Sequence, residues 1–168
     1  MSRYRPPAEK SSPYITAAGA QALRDELDHL WNERRPRVVQ AMADAAAEGD
    51  RSENAEYIYR KKELREIDRR AGYLSRRVEQ IKVVDRVPDD TGKVFFGATV
   101  TVVDEQGREG RYRIVGADEI DARQGWISID SPVARALVGK SLGDIVAVRL
   151  PSGEAELEIA DIGYRDEK

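Results

Sequence analysis

Three observations predict an α+β chain in two parts: an antiparallel two-helix coiled-coil hairpin, then an antiparallel sheet domain with one short helix. First, Leu64, Ile67, Ala71, Leu74, Val78 and Ile81 alternate spacings of three and four, the signature of a coiled-coil seam. Second, a polar knot, Gly49-Asp50-Arg51-Ser52-Glu53-Asn54, separates that stripe from an earlier one begun by Leu23, Leu27 and Leu30. So short a turn between two stripes folds them back on each other. Third, beyond Pro88-Asp89-Asp90-Thr91-Gly92 the period falls to two, as in Arg111-Tyr112-Arg113-Ile114-Val115, the alternation of a half-buried strand.

Taken in order, Ser2 to Pro13 are polar and carry three prolines, which predicts a flexible leader over 1–13. The hairpin is expected over 14–84, a linker over 85–92 and the sheet domain over 93–168. Thr16 is the expected N-cap of the first helix. After Leu30 the first stripe resumes one position late, through Trp31, Val38, Met42 and Ala45. Pro36 falls inside this helix, and its ring and missing N–H predict a bend there. Ala41, Ala43, Ala45, Ala46 and Ala47 favour helix strongly, and Gly49 is the expected stop. The second helix should start between Asp50 and Ser52 and run to about Val83. Each arm is then about thirty residues, or roughly 45 Å at 1.5 Å per residue, a rod with an acidic tip.

In the second part, Val94 to Phe96, Ala98 to Val103, Arg111 to Val115 and Trp126 to Asp130 read as strands, with a turn at Asp104-Glu105-Gln106-Gly107. Ser131-Pro132 opens a short helix that Gly139 closes. Ile145 to Leu150 and Glu154 to Ile162 are two last strands joined by Pro151-Ser152-Gly153. Short strands, tight turns and one helix argue for an α+β domain.

The chain has 168 residues and a formal net charge of −3, so no global basic footprint points to nucleic acid. The balance is uneven: Met1 to Val84 holds 17 basic against 14 acidic residues, and Asp85 to Lys168 holds 11 against 17. That asymmetry suggests two surfaces with two partners. Cysteine is absent, which excludes disulfides and thiolate metal sites and fits a reducing cytoplasm. No apolar run approaches the ~20 residues that span a bilayer, and no apolar segment follows the first residues as a signal peptide requires. One histidine, His29, and no cysteine exclude Ser-His-Asp and Cys-His nucleophile arrangements, and no phosphate-binding GxxxxGK[ST] loop is present.

Asp50 and Glu53 form the sharpest pair. A separation of three across a helix start puts them on one face. The plain structural reading is a variant capping box, Asp50 as N-cap and Glu53 at N3. Against it, Asp44, Glu48, Asp50, Glu53 and Glu56 crowd one end of the rod, where mutual repulsion adds nothing to stability. Two exposed carboxylates there are hard oxygen ligands suited to Mg²⁺, too few to be a complete site. The second arm carries Arg60-Lys61-Lys62, Arg65, Arg69-Arg70 and Arg76-Arg77, interspersed with Glu63, Glu66, Asp68 and Glu79. These form helical ion pairs or line one side of the rod against a phosphate backbone. Tyr57 fits the seam, and an exposed tyrosine near a tip can also stack on a base.

At these residues the chain resembles a known family. The run Gly49 to Tyr57, the stretch Lys61 to Arg70, Gly92 to Ala98, Tyr112 to Gly116 and Ile129 to Leu137 together resemble the Gre family of bacterial transcript cleavage factors. Leu30-Trp31 with Glu33-Arg34-Arg35-Pro36, and Arg51-Ser52 in the tip, resemble its GreB branch. The resemblance covers nearly everything from Thr16 to Tyr164. It implies a cytoplasmic, monomeric elongation factor whose hairpin enters the secondary channel of a backtracked RNA polymerase. There Asp50 and Glu53 help hold a Mg²⁺ shared with the polymerase, which hydrolyses its own transcript; the factor is not itself an enzyme and holds no metal when free. It further implies an FKBP-like second domain whose Asp130, Ser131 and Pro132 contact the polymerase. The basic residues Arg60, Lys61, Arg65 and Arg69 face the 3′ end of the nascent RNA, and Asn54 and Tyr57 match tip positions. Two rival readings stay beside it: a channel-binding regulator that does not stimulate cleavage, and a prolyl isomerase or chaperone. The second is disfavoured because no aromatic-rich pocket is expected in Asp85 to Lys168.

Overall fold

A computed structural model describes residues 10–49 and 54–164. The chain divides into two compact units, Ala20–Ile81 and, from the described residues, 10–19 with 82–164.

The helical unit is the expected hairpin. Helix α1 spans Ala17–His29, a π-helical turn Leu30–Arg34, α2 Arg35–Ala47 and α3 Ala55–Gln80. Thr16 caps α1 as expected: its hydroxyl accepts from the Gly19 N–H at 3.0 Å. The bend at Pro36 is that π turn. Proline cannot donate to the carbonyl of residue 32 and its ring crowds it, so the chain inserts one residue, and the Arg35 N–H bonds to Leu30 O, five residues back. The seam therefore steps eight residues, from Leu30 to Val38, before continuing to Ala45; all three are buried. Trp31 does not join it. The inserted turn rotates the indole outward, where it is 56% exposed with the Arg35 guanidinium 5.2 Å from its ring centre. On the opposing arm Ile67, Ala71 and Leu74 are buried as predicted.

Ion pairs tie the arms together, among them Arg34 to Glu63 at 3.2 Å, Arg35 to Asp68 at 2.8 Å, and Arg70 to both oxygens of Glu26 at 2.7 Å. The Arg70 hydrogen bond holds the Glu26 carboxyl below its ordinary range, against the opposing effect of burial.

Two expectations for this part are corrected and one is refined. Helix α3 starts at Ala55, not between Asp50 and Ser52, and ends at Gln80 rather than Val83. Gly49 follows the Glu48 C-cap of α2, where the helix stops, but without the left-handed geometry of a glycine cap, since it is absent from the glycines with positive φ. The leader is tied down at its end. Tyr14–Ile15 form strand β1, paired in parallel with β2, Lys82–Val83. The Lys82 N–H donates to Pro13 O at 2.7 Å and the Val84 N–H to Ile15 O at 2.9 Å. Ile15 is fully buried. Residues 14–19 and 82–84, expected with the hairpin, thus belong to the second unit.

That unit is built on a five-stranded sheet in the order β5-β4-β3-β7-β6. Its strands are β3 Thr99–Asp104, β4 Glu109–Val115, β5 Trp126–Ser128, β6 Ile145–Leu150 and β7 Gly153–Gly163, and helix α4 spans Pro132–Leu137. Every pairing is antiparallel except β4 with β5, which is parallel, so the sheet is mixed. Val94 to Phe96 is not a strand; only a bridge between Lys93 and Ser141 lies there, and Val94 is fully buried in the core. That core, Val100, Val102, Ile114, Val146, Val148, Leu157 and Ile159 with Ala134 and Leu137 of α4, follows from period-2 alternation on each strand.

Candidate functional sites

Asn54 builds the tip. Its side-chain oxygen accepts from the Tyr57 N–H at 3.0 Å, so it is the N-cap of α3. Its Nδ2 donates to Ala45 O in the last turn of α2 at 2.6 Å. One side chain therefore satisfies an orphan donor of one helix and gives a second bond to Ala45 O, which already accepts from the Glu48 N–H at 3.2 Å. The plain alternative for Asp50 and Glu53, a capping box on the second helix, does not describe α3, because Asn54 occupies its cap. Asp50 and Glu53 themselves lie outside the described residues. Tyr57 is half-buried, with the Lys61 ammonium 6.0 Å from its ring centre.

The basic residues of α3 divide into two groups. Arg60 is engaged along its own helix, at 2.7 Å from Glu56 and 3.0 Å from Glu63. Its hydrogen bond to Glu56 heads the causes that raise its pKa. Arg65 and Arg69 are exposed, and among the described residues neither carries an ion pair or hydrogen bond. Spacings of four and seven align Arg65, Arg69 and Arg76 on the helix face opposite Ile67, Ala71 and Leu74. Lys61 lies at the edge of that face. Arg60 stands about 140° round the helix from Arg65, on the side of Ile67 and Ala71, where its ion pairs hold it. His29 faces solvent beside Glu33 at 3.3 Å, as its isolation in the sequence suggested. Among the described residues no group of three or more His, Asp or Glu could hold a metal. None of their helices is long and apolar enough to cross a membrane.

In the second unit Asp130, Ser131 and Pro132 form one turn between β5 and α4. Ser131 caps α4, accepting from the Ala134 N–H at 3.2 Å, and Pro132 opens the helix. Gly139, with φ +81°, closes it, as read from the sequence. The Asp130 N–H donates to Ser128 Oγ at 3.0 Å. The Asp130 carboxylate accepts twice from Ser12: the main-chain N–H reaches Oδ2 at 2.8 Å and the hydroxyl reaches Oδ1 at 2.5 Å. Nothing in the sequence pairs residues 118 positions apart, so Ser12 was not anticipated. Glu119 makes a similar grip: it accepts from the Thr16 N–H at 3.0 Å, the Thr16 hydroxyl and the Gly116 N–H at 2.8 Å.

The expected lack of an aromatic pocket is also corrected. Phe96, Trp126 and Tyr164 line a cleft of about 380 Å³ with Arg113 and Val87. Its polar edges are already engaged. The Tyr164 hydroxyl donates to Lys93 O and accepts from the Phe95 N–H at 2.8 Å, and burial pushes its pKa up. The Arg113 guanidinium lies 5.0 Å from the Trp126 ring centre.

Comparison with known proteins adds the lineage. Residues 13–83 match the family model for the N-terminal part of a transcription elongation factor, and residues 89–164 match the GreA/GreB C-terminal model. The transcription elongation factor GreB of Pseudomonas aeruginosa is 58% identical over 164 residues, covering 98% of each chain. That of Xanthomonas axonopodis is 58% identical over 165 residues, again covering 98% of each. Among solved structures, one of the transcription factor Gfh1 is 21% identical over 89% of this chain and 96% of its own, with a TM-score of 0.43. Two family models in the right order, and identity this high across nearly the full length, lead to one conclusion: the chain belongs to the GreA/GreB family of transcription elongation factors, on its GreB branch.

Proposed function

We propose that this elongation factor stimulates the RNA hydrolysis of a backtracked RNA polymerase from within its secondary channel, without being an enzyme itself. The helical hairpin delivers Asp50 and Glu53 beside the polymerase active site. The observation that carries this reading is Asn54: because it caps α3 and anchors to Ala45 O, the tip acids are not needed to close the turn. Carboxylate oxygens are the donor type that Mg²⁺ takes, one or two at a time. When bound, a second Mg²⁺ supplies an activated water and charge stabilisation at the reacting phosphate. The chain's own share is to place two carboxylates and hold them on a braced helix pair. Arg65 and Arg69, with Lys61 beside them, meet the phosphates of the 3′ RNA electrostatically. Asp130, Ser131 and Pro132 contact the polymerase outside the channel. The factor acts in the cytoplasm as a monomer.

The test is transcript cleavage in a stalled elongation complex with purified polymerase. Asp50→Ala and Glu53→Ala are expected to lower the cleavage rate by at least 100-fold while competing for polymerase nearly as well as the parent chain. Cleavage at the parent rate by both variants sinks the proposal and leaves a channel-binding regulator in its place.

A further inference from the structure

We propose that Ser12 is a positioning residue: it fixes the Asp130 carboxylate in the orientation that meets the polymerase. The inference rests on the reading of the Asp130 loop given above. An aspartate on a surface turn ordinarily samples several side-chain rotamers. Here both carboxylate oxygens are held at once, Oδ2 by the Ser12 N–H at 2.8 Å and Oδ1 by its hydroxyl at 2.5 Å. Two donors on two oxygens fix both side-chain torsions, which one bond cannot do. Ser12 is a firm base for this fork. The next residue, Pro13, accepts from the Lys82 N–H at 2.7 Å, and Ile15 is wholly buried beside that pairing. Residues 12–15 therefore act as a strap whose first residue is clamped on the loop.

The clamp sits at an accessible place. Ser12 and Asp130 line a surface depression of about 370 Å³ with Ile129, Arg135 and Val138. A partner's cationic or N–H group can approach the carboxylate there. A carboxylate already set in place spares the complex the loss of side-chain freedom that binding otherwise costs, an effect of up to about 10-fold in Kd.

The experiment is equilibrium competition for core RNA polymerase, using the full chain and its Ser12→Ala, Ser12→Gly, Asp130→Ala and Ser12→Ala/Asp130→Ala variants, with transcript cleavage measured at saturating factor. Ser12→Ala is expected to raise Kd about 5- to 10-fold with the saturated cleavage rate unchanged. Ser12→Ala and Ser12→Gly both retain the main-chain donor and lose the hydroxyl, so Ser12→Gly, with its freer backbone, is expected to weaken binding at least as much as Ser12→Ala. The double variant should bind no more weakly than Asp130→Ala, because Ser12 acts only through that carboxylate; a merely structural serine would weaken both backgrounds equally. Parent-like binding by Ser12→Ala, with Asp130→Ala weakened, overturns the positioning role alone. So does a double variant whose two losses multiply. Parent-like binding by Asp130→Ala removes the loop reading itself, and the positioning role with it.

Discussion

Asn54 does by itself what the sequence divided among its neighbours. It accepts from the Tyr57 N–H and donates to Ala45 O, so Asn54→Ala loses a cap and a cross-turn bond together. We expect a destabilisation of about 1–2 kcal/mol, read as a lower denaturation midpoint. Asn54→Asp keeps the acceptor and loses the donor, and should fall between the two. An Asn54→Ala chain as stable as its parent would show that the tip closes by other means. A second residue-scale consequence concerns Gly116. A Cβ there would lie 2.5 Å from the Tyr14 carbonyl oxygen, a backbone atom with nowhere to move. Gly116→Ala should therefore displace β1 and cost several kcal/mol; an unchanged unfolding midpoint would contradict the packing described. The cap shows what the sequence could not decide at this scale. Asp50, Ser52 and Asn54 are all good N-caps, and only the position of Ala45 O selects among them.

At the scale of elements, the seam of α3, helix α4 with its Ser131 cap, and strands β6 and β7 were legible because each rests on local periodicity and capping. The π turn was half legible. Pro36 announced a bend and the stripe announced a slip, but the pattern assigned Trp31 to the seam, whereas the inserted residue turns it out. Register and proline both favour the π turn, and register holds it without the proline, because removing the turn would expose Val38, about 1.5–3 kcal/mol of burial, and Ala45, about 0.8 kcal/mol. Pro36→Ala is therefore expected to keep the turn. In a Trp126→Phe background, acrylamide quenching of Trp31 should be unchanged; a protected, blue-shifted indole would mean that the helix had relaxed. The Arg70–Glu26 pair makes a pH prediction on the same hairpin. The folded Glu26 carboxyl lies below its ordinary value of 4.5. Its contribution is thus present above about pH 4.5 and lost as pH falls through the lower folded value. Both groups are substantially exposed, so the effect stays under about 1 kcal/mol. Glu26→Gln should be slightly less stable than the parent at pH 7, and the gap should close as pH falls below 4.5 through the lowered folded value.

For the whole chain, the least legible feature is the one that defines the second unit. Two residues of β1 pair with two of β2 across the entire hairpin, and neither pair carries a pattern long enough to read as a strand. The sequence suggested a leader because prolines and polar residues precede Tyr14; the bonds that contradict it are long-range and depend on where the sheet puts Glu119 and Asp130. The strap is nevertheless substantial. It buries Ile15 completely, worth about 1.5–3 kcal/mol, adds the bonds from Lys82 and Val84, and satisfies the carboxylate of Asp130 in the second unit. A chain beginning at Thr16 would lose all of these and leave the carboxylate of Asp130 without its Ser12 donors. We expect such a chain to keep the helix content of the hairpin by far-ultraviolet circular dichroism. The sheet unit should unfold at a denaturant midpoint lower by an amount equivalent to several kcal/mol. Identical midpoints for the shortened and full chains would return residues 10–13 to the role of a leader. They would also remove the physical basis for linking the start of the chain to the Asp130 loop.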